Sequence, residues 1–166
     1  YRQHYSQDAN VGTALDPSVK LPVKNKRAIP LSQLRLSPNG QKVVYVSNEA
    51  GKTRVYLQGI DGKNRKAILK SGFKNIFQAT DYNYPLLSWL PNGQKVASMY
   101  EVRDKIKLLL YNIEDGKTET IPMPNDYQRI LSIDFSDNRQ MVLSAVRAGY
   151  SDVFLFDTKM RQSKQI

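Results

Sequence analysis

The sequence predicts an all-β chain. It reads as a β-propeller, seen as three four-stranded antiparallel blades of a partial ring, preceded by an extended N-terminal segment. Three observations predict it. A turn motif recurs at blade-like intervals. Each copy is followed, at a nearly constant distance, by a second turn motif. Between the turns apolar residues alternate with a period of two, and helical spacing is nowhere sustained.

The first motif is Leu36-Ser37-Pro38-Asn39-Gly40-Gln41-Lys42-Val43, which returns as Leu90-Pro91-Asn92-Gly93-Gln94-Lys95-Val96. A weaker copy is Phe135-Ser136-Asp137-Asn138-Arg139-Gln140-Met141-Val142. With Asn39, Asn92 and Asn138 as markers, the spacing is 53 and then 46 residues. The second motif, Val55-Tyr56-Leu57-Gln58-Gly59-Ile60-Asp61-Gly62-Lys63, matches Leu109-Leu110-Tyr111-Asn112-Ile113-Glu114-Asp115-Gly116-Lys117. Its third version is Val153-Phe154-Leu155-Phe156-Asp157-Thr158-Lys159. Gly40 and Gly62 are 22 residues apart, Gly93 and Gly116 23. Units of 40–50 residues holding four strands are the propeller signature.

In the first unit residues 33–36 form the inner strand, and Asn39-Gly40 supplies the positive φ of a tight turn. Residues 42–47 carry apolar side chains on both faces, as a strand between two neighbours does. Residues 53–58 are rich in β-favouring types, and 65–69 form a more polar outer strand. The second blade repeats this at 86–89, 94–100, 106–112 and 118–121. The third repeats it at 131–135, 140–146, 152–156 and 162–166. The organisation is then an extended strap or leader at 1–30, blade 1 at 31–70, and a long aromatic connector at 71–85. Blade 2 follows at 86–123, a connector at 124–129 and blade 3 at 130–166. Pro17, Pro22 and Pro30 break the leader. Three blades do not close a propeller, so further blades are expected to complete the ring.

The formal charge is +10, and nine of those charges fall in the first 70 residues. Arg35, Lys42, Arg54, Lys63, Arg65 and Lys66 are the candidate basic surface, on strands whose alternation divides them between two faces. The alternative is a solvated surface without a partner. Cysteine is absent and His4 is the single histidine, which removes most metal sites and most nucleophile–base pairs. No catalytic residue, metal ligand or cofactor site is expected. No apolar run approaches the roughly 20 residues that cross a bilayer. Phe73, Lys74, Phe77, Asp81, Tyr82, Asn83 and Tyr84, in the long connector, are the candidate partner-binding residues. Aromatics beside lysines on a loop can grip a peptide, and the alternative is a small local core. Trp89 is expected in the core between blades.

The run Leu36-Ser37-Pro38-Asn39-Gly40-Gln41-Lys42-Val43-Val44-Tyr45-Val46-Ser47-Asn48-Glu49, a strand and then Asp61-Gly62, resembles the propeller repeat of the TolB family. The usual form there is Ser-Pro-Asp-Gly-Lys, then Ile-Ala-Phe-x-Ser, a Gly turn, and Ile-Tyr-x-x-Asp. The resemblance covers residues 34–166. Asn39 and Asn92 stand where Asp is commoner, and Asn serves the turn equally. Tyr150-Ser151-Asp152 resembles the structural turn before the third strand. The resemblance implies a non-catalytic protein–protein interaction scaffold of the bacterial cell envelope, periplasmic or envelope-associated. Other proteins of an envelope or secretion complex are its expected partners, and nucleic acid is not. The alternatives are the propeller of a prolyl-oligopeptidase-type serine peptidase, whose catalytic domain lies elsewhere, and a polyanion-binding module.

Overall fold

In a computed structural model of the chain the described residues are 29, 31–49, 52–70, 85–102 and 104–166. They form twelve strands in three four-stranded antiparallel sheets, with no helix among them. The chain divides into two compact units, residues 1–72 and 73–166. Of the leader at 1–30 only Ile29 is among the described residues, and of the 71–85 connector only Pro85.

The first unit holds blade 1: β1 Leu31–Leu36, β2 Lys42–Glu49, β3 Lys52–Gly59 and β4 Lys66–Lys70, in that spatial order. Its sheet is buried on both faces. Register pairs Val43 with Gln58 and Tyr45 with Tyr56, which defines face A. Val44 pairs with Leu57 and Val46 with Val55, which defines face B. Val43, Val44, Tyr45 and Val55 are wholly buried, which accounts for the continuous apolar run in β2. The turn after β1 is closed by its own side chains. Asn39 Oδ1 accepts from the Ser37 hydroxyl at 2.8 Å and from the Gln41 N–H at 3.1 Å. Gly40 sits at φ 70°, where a Cβ would be strained.

The second unit holds blades 2 and 3. Blade 2 is β5 Leu86–Trp89, β6 Lys95–Val102, β7 Lys105–Asn112 and β8 Thr118–Pro122. Blade 3 is β9 Tyr127–Phe135, β10 Gln140–Arg147, β11 Tyr150–Asp157 and β12 Gln162–Gln165. Face B of blade 2, with Leu86, Ala97, Met99, Leu108 and Leu110, shares one core with face A of blade 3. The latter contributes Met141, Leu143, Ala145, Phe154 and Phe156. Trp89 is buried, on the other face of blade 2.

Three sequence expectations change. The third repeat is one residue out of step. Ser37 and Leu90 donate to carbonyls five residues on, at Lys42 and Lys95, but Ser136 donates to Gln140, four on. Asp137, not Asn138, fills the role of Asn39 and Asn92, its Oδ1 accepting from the Arg139 and Gln140 N–H groups at 2.6 and 2.7 Å. The equivalent strands therefore start 53 and then 45 residues apart, at Lys42, Lys95 and Gln140.

The inner strand of blade 3 begins at Tyr127, inside the expected 124–129 connector. Its register shifts twice against β10, at Leu131 and at Gln128, which have no direct partner. Each bulge adds a residue, so Tyr127, Ile130 and Ile133 point inward at intervals of three. A period-two reading stops at the first bulge.

Tyr150-Ser151-Asp152 is not a turn. The hairpin turn is Ala148-Gly149, both at positive φ (50° and 84°), and Tyr150 opens β11.

Candidate interaction surface

On face A of blade 1 two adjacent strands bring Tyr45 and Tyr56 to a centroid separation of 5.8 Å, tilted by 33°. The Tyr45 hydroxyl donates to Gln58 Oε1 at 3.1 Å in a buried contact. The Arg65 guanidinium lies 3.8 Å over the Tyr56 ring, and Arg54 Nη1 donates to the Tyr56 hydroxyl at 3.3 Å. Burial pushes the Tyr45 phenol above its ordinary pKa, partly offset by the charge of Arg65. Gln58 is 2% exposed, and its Nε2 has no hydrogen-bond partner among the described residues.

The six candidate bases are placed unequally. Arg54 and Arg65 share the Tyr56 ring. Arg35 pairs in register with Val44, and Lys66 with Leu57, so both belong to face B. Lys42 lies opposite Gly59, one step out of phase with face A. Lys63 is exposed in the β3–β4 turn, its N–H bonded to Asp61 Oδ1 at 3.0 Å. Tyr45, Tyr56 and Gln58 were not singled out by sequence reasoning. The alternation Arg54–Tyr56–Gln58 on one strand face is the signal that could have found them. Phe73, Lys74, Phe77, Asp81, Tyr82, Asn83 and Tyr84 lie outside the described residues.

In the second unit the Ser88 hydroxyl donates to Asp134 Oδ1 at 3.0 Å, linking the inner strands of blades 2 and 3. Arg139 binds Asp157 at 2.7 Å, tying the two turns at one end of blade 3. This holds the Asp157 carboxyl below its ordinary range. Face B of blade 3 differs from the buried face B of blade 2. It carries Leu131 and Val153, each 40% exposed, with Val142, Val146 and Leu155 half-buried and Ser132 and Ser144 hydrogen-bonded at 2.7 Å. Among the described residues no group of three or more His, Cys, Asp or Glu could hold a metal ion. No helix among them is long and apolar enough to cross a membrane.

Repeated four-stranded antiparallel sheets of this kind are the blades of a β-propeller, and solved propellers are similar to this chain. A putative TolB from Agrobacterium tumefaciens aligns with TM-score 0.69 at 18% identity, covering 91% of this chain and 51% of that one. TolB from Acinetobacter baumannii aligns with TM-score 0.65 at 17% identity, covering 83% and 32%. The β-propeller domain of the Trilobed protease from Pyrococcus furiosus aligns with TM-score 0.58 at 16% identity, covering 83% and 42%. At these identities the likeness shows the fold. By sequence, the Tol-Pal system protein TolB of Hydrogenovibrio crunogenus is 41% identical over 51 residues, which is 31% of this chain and 11% of that protein. No family model matches. The chain has a β-propeller fold similar to that of TolB proteins, and it spans about half or less of the length of each of these relatives.

Proposed function

We propose that the chain belongs to a non-catalytic propeller of the bacterial cell envelope, periplasmic or envelope-associated, that binds other proteins of an envelope complex. The observation that carries this reading is the TolB-like blade itself. Its side-chain chemistry closes turns and builds blade faces, and a Tol-Pal system protein is similar over 51 residues. The half-exposed apolar face B of blade 3 supports a ring continued by further blades. The contacts with partners are assigned to residues 73–84 of the 71–85 connector and to the basic residues of blade 1. The test is capture from envelope extract by the wild-type chain, by Tyr82→Ala/Tyr84→Ala and by Arg54→Glu/Arg65→Glu, each of confirmed fold. Loss of the same captured proteins in either variant supports the assignment. Equal capture by all three removes both surfaces from it.

The likeness to a protease propeller favours one other reading, a propeller that gates the catalytic domain of a serine peptidase. A Gly-x-Ser-x-Gly motif after the last blade of the full-length protein, with a later Asp and His, would decide for it. The concentration of positive charge favours polyanion binding, and a salt titration separates it. Strong, steeply salt-dependent binding abolished by Lys63→Glu/Arg65→Glu/Lys66→Glu supports it, and no binding at low salt rejects it.

A further inference from the structure

The hairpin of β10 and β11, together with β12, borders a half-open cavity of about 440 Å³ in blade 3. This falls in the roughly 300–1,000 Å³ range of small-molecule sites. Arg147, Tyr150, Ser151, Asp152, Phe154 and Gln165 line it. Phe154 is buried and belongs also to the blade 2–blade 3 core, where Tyr127 meets its ring edge-on at 5.2 Å. Tyr150 is 78% exposed. It is held beside the turn, whose Gly149 N–H donates to Gln128 Oε1 at 2.8 Å.

The blade's architecture does not require Tyr150 or Asp152. Tyr150 pairs with Arg147 at the register where Lys52 pairs with Glu49 and Lys105 with Val102. Two residues on, the other blades carry Arg54 and Lys107 where blade 3 carries Asp152. Identical architecture is reached with opposite charge and without the aromatic, so the lining is particular to this blade.

The chemistry of the lining narrows the ligand. Its two charges are already engaged. Arg147 is paired with Asp126 at 2.5 Å, and Asp152 accepts from Gln165 Nε2 and from the Val153 N–H. A net charge on the ligand would have no free counter-charge. What remains is a mixture of donors and acceptors: guanidinium N–H, amide, hydroxyl and carboxylate. An exposed aromatic ring stands beside them, with an apolar face and a polar tip. We propose that this cavity is a binding site for a neutral sugar, the end of an oligosaccharide chain. The Tyr150 ring stacks on the C–H face of the pyranose. Asp152, Ser151, Gln165 and Arg147 meet its hydroxyls.

The test uses the ¹⁵N-labelled 166-residue chain and three neutral probes: maltotriose, cellotriose and the trimer of N-acetylglucosamine. Each is titrated to about 10 mM, tenfold above the ~1 mM dissociation constant that a weak site shows. The expected result is saturable shifts confined to the amides of Tyr150–Asp152, Phe154 and Gln165 with at least one probe. Tyr150→Ala should weaken that binding about tenfold or more, and Tyr150→Phe should retain it. Because Tyr150 is exposed, neither variant should disturb the fold, and an unchanged spectrum elsewhere checks this. No shift with any probe overturns the proposal. So does equal binding by Tyr150→Ala, or tighter binding of glucose 6-phosphate or glucosamine than of the neutral probes.

Discussion

The guanidinium of Arg65 lies 3.8 Å over the ring of Tyr56, whose hydroxyl accepts from Arg54. One aromatic on the third strand of blade 1 thus gathers two positive charges from neighbouring positions. Arg35 and Lys66 project from the other face. The charge excess in the first 70 residues is therefore organised in part by a ring, and that organisation can be measured.

Arg65→Ala should destabilise the first unit by about 0.5–1 kcal/mol, the range for an exposed cation–π contact. Urea denaturation of the variant beside the wild type reads this directly. Arg65→Lys should recover part of the loss, because the ammonium keeps the charge but not the planar stack. A loss equal in both variants would mean that geometry, not charge, holds the pair.

The raised pKa of Tyr45 gives a pH dependence whose sign is fixed. The folded state favours the protonated phenol, so its contribution is complete below the ordinary value of 10.0 and is lost as pH rises beyond it. Tyr127 is shifted in the same direction by burial. The melting temperature should be flat on the acid side of 10.0 with respect to these groups and should fall above it. Tyr45→Phe should flatten part of that fall and, by leaving Gln58 Oε1 without its donor, cost about 1 kcal/mol at neutral pH.

What the sequence disclosed follows from where the physics is local. Gly40 and Gly93, at φ 70° and 69°, are needed where they stand because few other residues adopt that backbone. The turns were legible for that reason. The buried run Val43–Ser47 was legible because a strand covered on both sides needs no polar face. The start of β9 was hidden, because two bulges break the alternation on which a strand is recognised. The Arg54–Tyr56–Arg65 cluster and the blade 3 cavity were hidden for another reason. They depend on cross-strand register, which spacing along one strand does not reveal.

Asp137 performs with a carboxylate what Asn39 and Asn92 perform with an amide oxygen, accepting the N–H two residues on. Asn92→Asp should therefore leave stability within about 0.5 kcal/mol. Asn92→Ala removes the acceptor and should cost about 1 kcal/mol. Gly93→Ala forces a side chain into φ 69° and should cost about 1–2 kcal/mol. Denaturant midpoints of the three variants test the order.

The two faces of blade 3 make opposite predictions for similar truncations. Phe156 is wholly buried in the core shared with blade 2, so Phe156→Ala should cost about 3–5 kcal/mol. Val153, on face B, is 40% exposed, so Val153→Ala in this 166-residue chain should cost no more than about 0.5 kcal/mol. In a longer protein whose next blade covers face B the same valine would be buried. The same substitution should then cost about 2 kcal/mol, the transfer term for the lost apolar group plus the cavity it leaves. Measuring Val153→Ala in both lengths of chain reads the docking of that blade as a difference in stability. An equal, small cost in the longer protein would show that face B stays open to solvent there.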